Sequence, residues 1–234
     1  GIASNGWIEI KGTNLVPSST PVSGVTWGNA PSFAQGELPT NLNGISVTVN
    51  GKSAYIFFFC AAAPGGCSQD QVNALTPVDA TTGPVQVVVS NNGVPSAPFT
   101  VQENTAVPSF LLFGPPYIVS TFLDFVTRVG PAALIPGLSQ PAAVGQTIIL
   151  YGVGFGLPTT PITPGSSSQS ASMPFAATCK VGGNPAAAVG PNLISPGLYQ
   201  INLTIPNGTP SGDNSLVCTY NGVSTPSGDL TSVK

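Results

Sequence analysis

The chain has 234 residues, and only 6% of them are Asp, Glu, Lys or Arg, against roughly 25% in ordinary soluble domains. The net charge is −3 and there is no histidine; no basic cluster exists, which excludes a phosphate-tracking nucleic-acid patch and any nucleophile paired with an imidazole base. No apolar run approaches the roughly 20 residues of a membrane span, and 41% apolar content is too high for a disordered chain.

In chain order, Trp7-Ile8-Glu9-Ile10-Lys11 alternates and stops at Gly12, which predicts a first strand and turn. Residues 17 to 39 form a long Pro/Ser/Gly-rich loop, with Trp27 and Phe33 as its anchors. Ile45-Ser46-Val47-Thr48-Val49 alternates again and runs into Asn50-Gly51, a strong hairpin signal, with Ala54 to Phe59 as the return strand. Strands follow at Gln71 to Leu75, Val85 to Ser90 and around Phe99-Thr100-Val101. About seven short strands with turns between them fit an immunoglobulin-like sandwich.

The series then repeats. Gln71-Val72-Asn73 and Pro77 recur as Gln200-Ile201-Asn202 and Pro206, Thr82-Gly83 as Ser211-Gly212, and Asn92-Gly93-Val94 as Asn221-Gly222-Val223, all at one offset. Upstream, Lys11-Gly12-Thr13-Asn14-Leu15 answers Tyr151-Gly152-Val153-Gly154-Phe155, and Val49-Asn50-Gly51 answers Val181-Gly182-Gly183. The fold expected is all-β: two tandem sandwiches, residues 1–106 and 141–234, each of about 100 residues and able to hold its own core. Between them, residues 107–140 carry apolar and aromatic runs at Phe110 to Phe113, Tyr117 to Phe122 and Phe125 to Val129. A flexible linker would be polar, so these predict extra strands in a stiff joining segment.

The four cysteines allow three pairings. Cys60 and Cys67 bracket a tight loop, while Cys179 aligns with Val47 and Cys218 with Val89, both core-facing by alternation. Bonds 60–67 and 179–218 are therefore expected, and with them an oxidising compartment outside the cytoplasm. A zinc site is disfavoured, because the spacings are not CxxC and no histidine is present. The chain opens at Gly1 with no charged or apolar leader, so any signal peptide is expected to be already gone.

Several strings resemble a domain family found in secreted acidobacterial proteins. They are Ile10-Lys11-Gly12-Thr13-Asn14-Leu15, Leu38-Pro39-Thr40 to Gly44-Ile45-Ser46-Val47, Gln71-Val72-Asn73 and Gly83-Pro84-Val85-Gln86-Val87 in the first half. In the second half they are Gly145-Gln146-Thr147 to Gly156 and Gly197-Leu198-Tyr199-Gln200-Ile201-Asn202. Each half also resembles the IPT/TIG branch of immunoglobulin-like domains. The resemblance covers roughly residues 3 to 228 and departs at Cys60 to Cys67, where the family has a short Ser-Pro turn. It implies fold and export; the family has no settled activity.

Chemistry-bearing motifs are few. Gly152-Val153-Gly154-Phe155-Gly156 is not a dinucleotide loop, since no helix follows, and Gly51-Lys52-Ser53 is a hairpin turn rather than a phosphate loop. The acids Glu9, Glu37, Asp70, Asp79, Glu103, Asp124, Asp213 and Asp229 are scattered; Asp79 and Asp213 are the calcium candidates at turns, with solvated turn acids as the simpler reading. Gln71 with Asn73, and Gln200 with Asn202, form a repeated polar pair on one strand face, expected to satisfy loop backbone groups. Asn202-Leu203-Thr204 and Asn207-Gly208-Thr209 are glycosylation sequons. Trp7, Trp27, Tyr55, Tyr117 and Tyr199 are expected as core and loop anchors, with sugar stacking as the alternative. No catalytic group, metal or cofactor is expected.

Together these features point to a secreted, non-catalytic structural protein that associates with copies of itself in an extracellular fibre or surface layer. Strand edges and apolar loops would make the contacts, because few charged residues guard the edges. The alternative is a monomeric cell-surface adhesion or glycan-binding module.

Overall fold

The computed structural model describes residues 1–234. The chain is nearly all β and divides into two compact units, each a β-sandwich of two sheets. The first comprises residues 1–105, 161–169 and 195–197; the second comprises 106–160, 170–194 and 198–234. Residues 107–140 thus lie inside the second unit, and two stretches within the second repeat, 161–169 and 195–197, belong to the first.

In the first unit a four-stranded sheet runs in the order Trp7–Gly12, Asp70–Leu75, Tyr55–Cys60, Val25–Thr26. Facing it is a seven-stranded sheet with the path Ile2–Ala3, Phe99–Asn104, Gly83–Asn91, Ile45–Val49, Asn41–Leu42. Period-two alternation builds the core: Ile45, Val47 and Val49 point inward from one strand, and Val72 and Ala74 from another. Fully burying each of these Val and Ile side chains contributes about 1.5–3 kcal/mol. The turn after Ile45–Val49 uses Asn50 at φ 52° and Gly51 at φ 73°. A Cβ on Gly51 would touch nothing, so glycine is needed there for its backbone freedom, not for space. Asn92-Gly93 and Asn221-Gly222 turn the same way, with all four φ values positive.

Inside the long loop, Pro31 opens a single helical turn, Pro31–Ala34. Trp27 stacks on Phe33 with ring centroids 5.1 Å apart, and Trp7 and Phe57 meet Trp27 edge-on at 5.5 and 4.7 Å. Residues 161–169 and 195–197 bond into the same unit. The Leu38 N–H donates to Gly165 O at 2.7 Å, Ser167 N–H to Gly36 O at 2.8 Å, and Trp7 Nε1–H to Pro196 O at 3.0 Å. Gly197 sits where a Cβ would lie 2.6 Å from Leu75 and 2.9 Å from the Trp7 indole nitrogen. Only glycine lets the chain pass that close.

In the second unit, Thr147–Val153, Leu198–Thr204 and Ala188–Ser195 occupy the centre of one sheet. Leu230–Val233, Gly212–Tyr220, Thr178–Val181 and Asn184–Ala186 follow one another in the other. Within 107–140 there are short strands at Ser109–Phe110, Leu112–Gly114, Tyr117–Ile118, Ser120–Thr121 and Arg128–Val129, whereas Phe125 to Thr127, expected in a strand, lie in a turn.

Both disulfides are present, Cys60–Cys67 and Cys179–Cys218, and no cysteine is free. Cys179 stands directly opposite Cys218 on neighbouring strands of one sheet, and Val47 stands opposite Val89 in the first unit. The second unit thus holds a covalent cross-strand link at the position where the first packs a Val–Val pair.

Candidate functional site

The repeat makes one difference between the units visible. Trp7–Gly12 and Thr147–Val153 are equivalent strands, because each pairs with the strand that carries the Gln-x-Asn motif. Glu9 and Lys11 face Asn73 and Gln71; Ile149 and Tyr151 face Asn202 and Gln200. Phe99–Asn104 and Leu230–Val233 correspond likewise, each pairing with the long strand that begins at Gly83 or Gly212.

In the second unit this side of the sandwich is closed by the chain itself. Ser109–Phe110 and Ser120–Thr121 pair antiparallel with Thr147–Val153, and Tyr117 pairs parallel with Leu230 of the other sheet. Leu111 N–H donates to Tyr151 O at 3.0 Å, and Tyr151 N–H to Val119 O at 3.2 Å. Residues 109–121 therefore bond to both sheets, with Phe110 and Ile118 buried. Ile149, on the face opposite the core, is buried as well.

In the first unit the same side is open. Trp7–Gly12 is the terminal strand of its sheet, paired only with Asp70–Leu75. Phe99–Asn104 has a second neighbour, Ile2–Ala3, only at Glu103 and Asn104. Between these strands lies a groove of ≈ 460 Å³, lined by Ile8, Ile10, Leu15, Val87, Val89 and Val101 among others. Phe99 at its rim is 71% exposed and nearby Val94 70%. Glu9 and Lys11 form an ion pair with each other on the outer face, both side chains about half exposed. Such a pair adds little stability by itself.

A second concavity, ≈ 670 Å³, lies within the first unit between residues 32–41 and 163–166. Glu37, Asn41, Tyr55 and Thr163 line it, and burial pushes the Tyr55 phenol above its ordinary pKa. Gly165, at φ 75°, rests on the Tyr55 ring.

The repeated amides do not bond loop backbone. Gln71 Nε2–H donates to Asn73 Oδ1, and Gln200 Nε2–H to Asn202 Oδ1, both at 2.8 Å. Each pair locks itself along one strand face, half-buried. The first-sequon Asn202 is thus engaged within its own strand, whereas Asn207 is exposed.

The carboxylates stay apart, and no three His, Cys, Asp or Glu side chains gather. Asp79 is buried. Burial pushes its pKa up, but hydrogen bonds from Thr81, Lys52 and Asn50 outweigh that and hold the carboxyl well below the usual range. Asp213 accepts from Tyr117 Oη at 2.6 Å and from the Ser232 hydroxyl. Glu103 is 1% exposed with neither oxygen bonded. Burial raises its pKa, and the negative charge of Asp79 raises it further. Its counterpart in the second unit is Val233, since Glu103 faces Gly83 and Val233 faces Gly212. Nothing in the sequence marks Glu103 as buried.

No family model matches the chain, and no curated protein matches it in sequence. Among solved structures it is similar to the Bacteroides ovatus mixed-linkage glucan utilization locus protein SGBP-B, bound to a mixed-linkage heptasaccharide, at TM-score 0.36 and 11% identity. That match covers 100% of this chain and 42% of the other, so the chain spans less than half of that protein's length. Tandem immunoglobulin domains of titin match at TM-score 0.25 and 10% identity, over 82% of this chain and 81% of theirs. The Yersinia pseudotuberculosis adhesin InvE matches at 0.21 and 13%, over 82% and 48%.

Proposed function

We propose that the chain is a secreted, non-catalytic structural protein whose copies associate in an extracellular fibre or surface layer. The observation that carries this reading is the open side of the first unit. A bare strand edge and an apolar groove lie where the second unit is covered by its own chain. An unpaired edge is a template for strand addition, and the only charges on this one, Glu9 and Lys11, neutralise each other. Export is supported by the two disulfides and by the motif strings that resemble secreted acidobacterial domains. No helix is long and apolar enough to cross a membrane.

Electron microscopy of the native material and sedimentation of the purified chain test the proposal. Ordered polymers or large assemblies are expected. A stable 23.5 kDa monomer at high concentration, with no filament or layer on cells, overturns it.

The cleft beside Tyr55 favours a second reading, a monomeric adhesion or glycan-binding module. Its polar side chains and one aromatic face suit a sugar. Titration with neutral oligosaccharides decides: binding lost in Tyr55→Ala supports this reading, and no heat with any sugar removes it.

A further inference from the structure

The open side of the first unit also specifies what covers it. We infer that Trp7–Gly12 pairs antiparallel with the same strand of a second copy, centred on Ile10. This rests on the self-association reading and names its partner and register.

The alternation of the strand limits the choice. Ile8 and Ile10 pack on the core side, while Glu9 and Lys11 stand on the outer face. A one-residue slip would turn apolar side chains outward, so only registers that keep the faces remain. Centred on Glu9, the strands would set Glu9 against Glu9; centred on Lys11, Lys11 against Lys11. Like charges directly opposite are destabilising. Centred on Ile10, Glu9 of each copy faces Lys11 of the other, and both pairs are attractive. The only two charges on the strand are therefore self-complementary in one face-preserving register. The same register sets groove against groove, so Phe99 and Val101 at the rim gain apolar cover. The second unit shows that this edge accepts an antiparallel partner: Thr121 faces Ile149 and Ser120 faces Leu150, the counterparts of Glu9 and Ile10. A two-fold contact of this kind closes into a pair; a fibre uses it together with a second contact elsewhere.

The test is charge exchange in the full chain, read by sedimentation velocity over a wide concentration range. Tryptophan fluorescence confirms that each variant is folded. Glu9→Lys alone and Lys11→Glu alone each turn two cross-strand attractions into repulsions, so each weakens the pair by about tenfold or more. The double variant Glu9→Lys/Lys11→Glu recovers the wild-type association. The Glu9 and Lys11 amides, which point away from Asp70–Leu75, become protected from hydrogen exchange on pairing in wild type and double variant only. Association that ignores the single reversals, or a double variant as weak as either single, overturns this pairing and leaves the self-association reading standing. A wild-type chain that is monomeric throughout removes both.

Discussion

The two units differ most where their sequences look most alike. Each carries a Gln-x-Asn strand beside an equivalent neighbour, yet one neighbour is flanked by residues 109–121 and the other has no further strand beside it. Glu9 is exposed where Ile149 is buried. A sandwich edge can be finished from within the chain or left to a partner, and the finished edge carries apolar residues on both strand faces. The unfinished one keeps charge on its outer face, which in this chain also selects a register.

The largest test of the comparison is covalent. Replacing Cys179 and Cys218 by Ala opens a loop spanning a sequence separation of 39, against 7 for Cys60 and Cys67. Loop-closure entropy predicts losses of about 4 and about 2.5 kcal/mol respectively. Both tryptophans lie in the first unit. Tryptophan fluorescence in denaturant therefore follows that unit, and circular dichroism follows both. Removing the 179–218 bond should shift only the second transition; a shift in fluorescence, or a loss below about 1 kcal/mol, breaks the assignment of the bond to an independent second core.

The closing segment comes next. Phe110 is buried beside Thr147–Val153, whereas Phe99 is exposed beside the open groove. Phe110→Ala should cost about 3 kcal/mol, and Phe99→Ala should stay within about 0.5 kcal/mol in a dissociated chain. Comparable losses at both sites in denaturant titrations would mean that the first unit is closed too.

The smallest expected effect is acidic. Glu103 has its folded pKa raised above the unfolded value, so the folded state holds its proton more tightly. Stability is then greatest below the unfolded pKa, near 4.3, and falls as pH rises from there through the folded pKa. Asp229, raised by burial, acts in the same sense. Asp79 and Asp124 have lowered pKa values, and lose their contribution only as pH falls below the unfolded carboxylate range. From neutral down to roughly pH 4.5 the chain should therefore gain stability. Glu103→Val, which copies Val233, should stabilise the first unit by about 1 kcal/mol at neutral pH and flatten its pH profile. A destabilised variant, or an unchanged profile in the fluorescence-detected transition, would show that the Glu103 carboxyl is paired after all.

Much of this molecule was legible as text. Alternation at Ile45 to Val49 and the Asn-Gly turns follow from side-chain direction and φ preference, both local properties. The 60–67 pairing followed from the tight loop between its cysteines, and 179–218 from repeat positions that face the core by alternation. The Gln-x-Asn pair was legible as a shared face but not as a bond between its own amides, since loop backbone offered an equally good acceptor.

What the sequence by itself determined was the repeated β architecture, the turns, the disulfide positions and the scarcity of charge, all of which depend on residue type and short spacing. Only the tertiary structure decided which edge residues 109–121 would cover, that 161–169 and 195–197 would complete the first unit, and that Glu103 would be buried without a partner. Those outcomes depend on pairings between residues far apart in the chain. Any edge strand offers the same row of N–H and C=O groups, so its choice of neighbour is written in no local pattern.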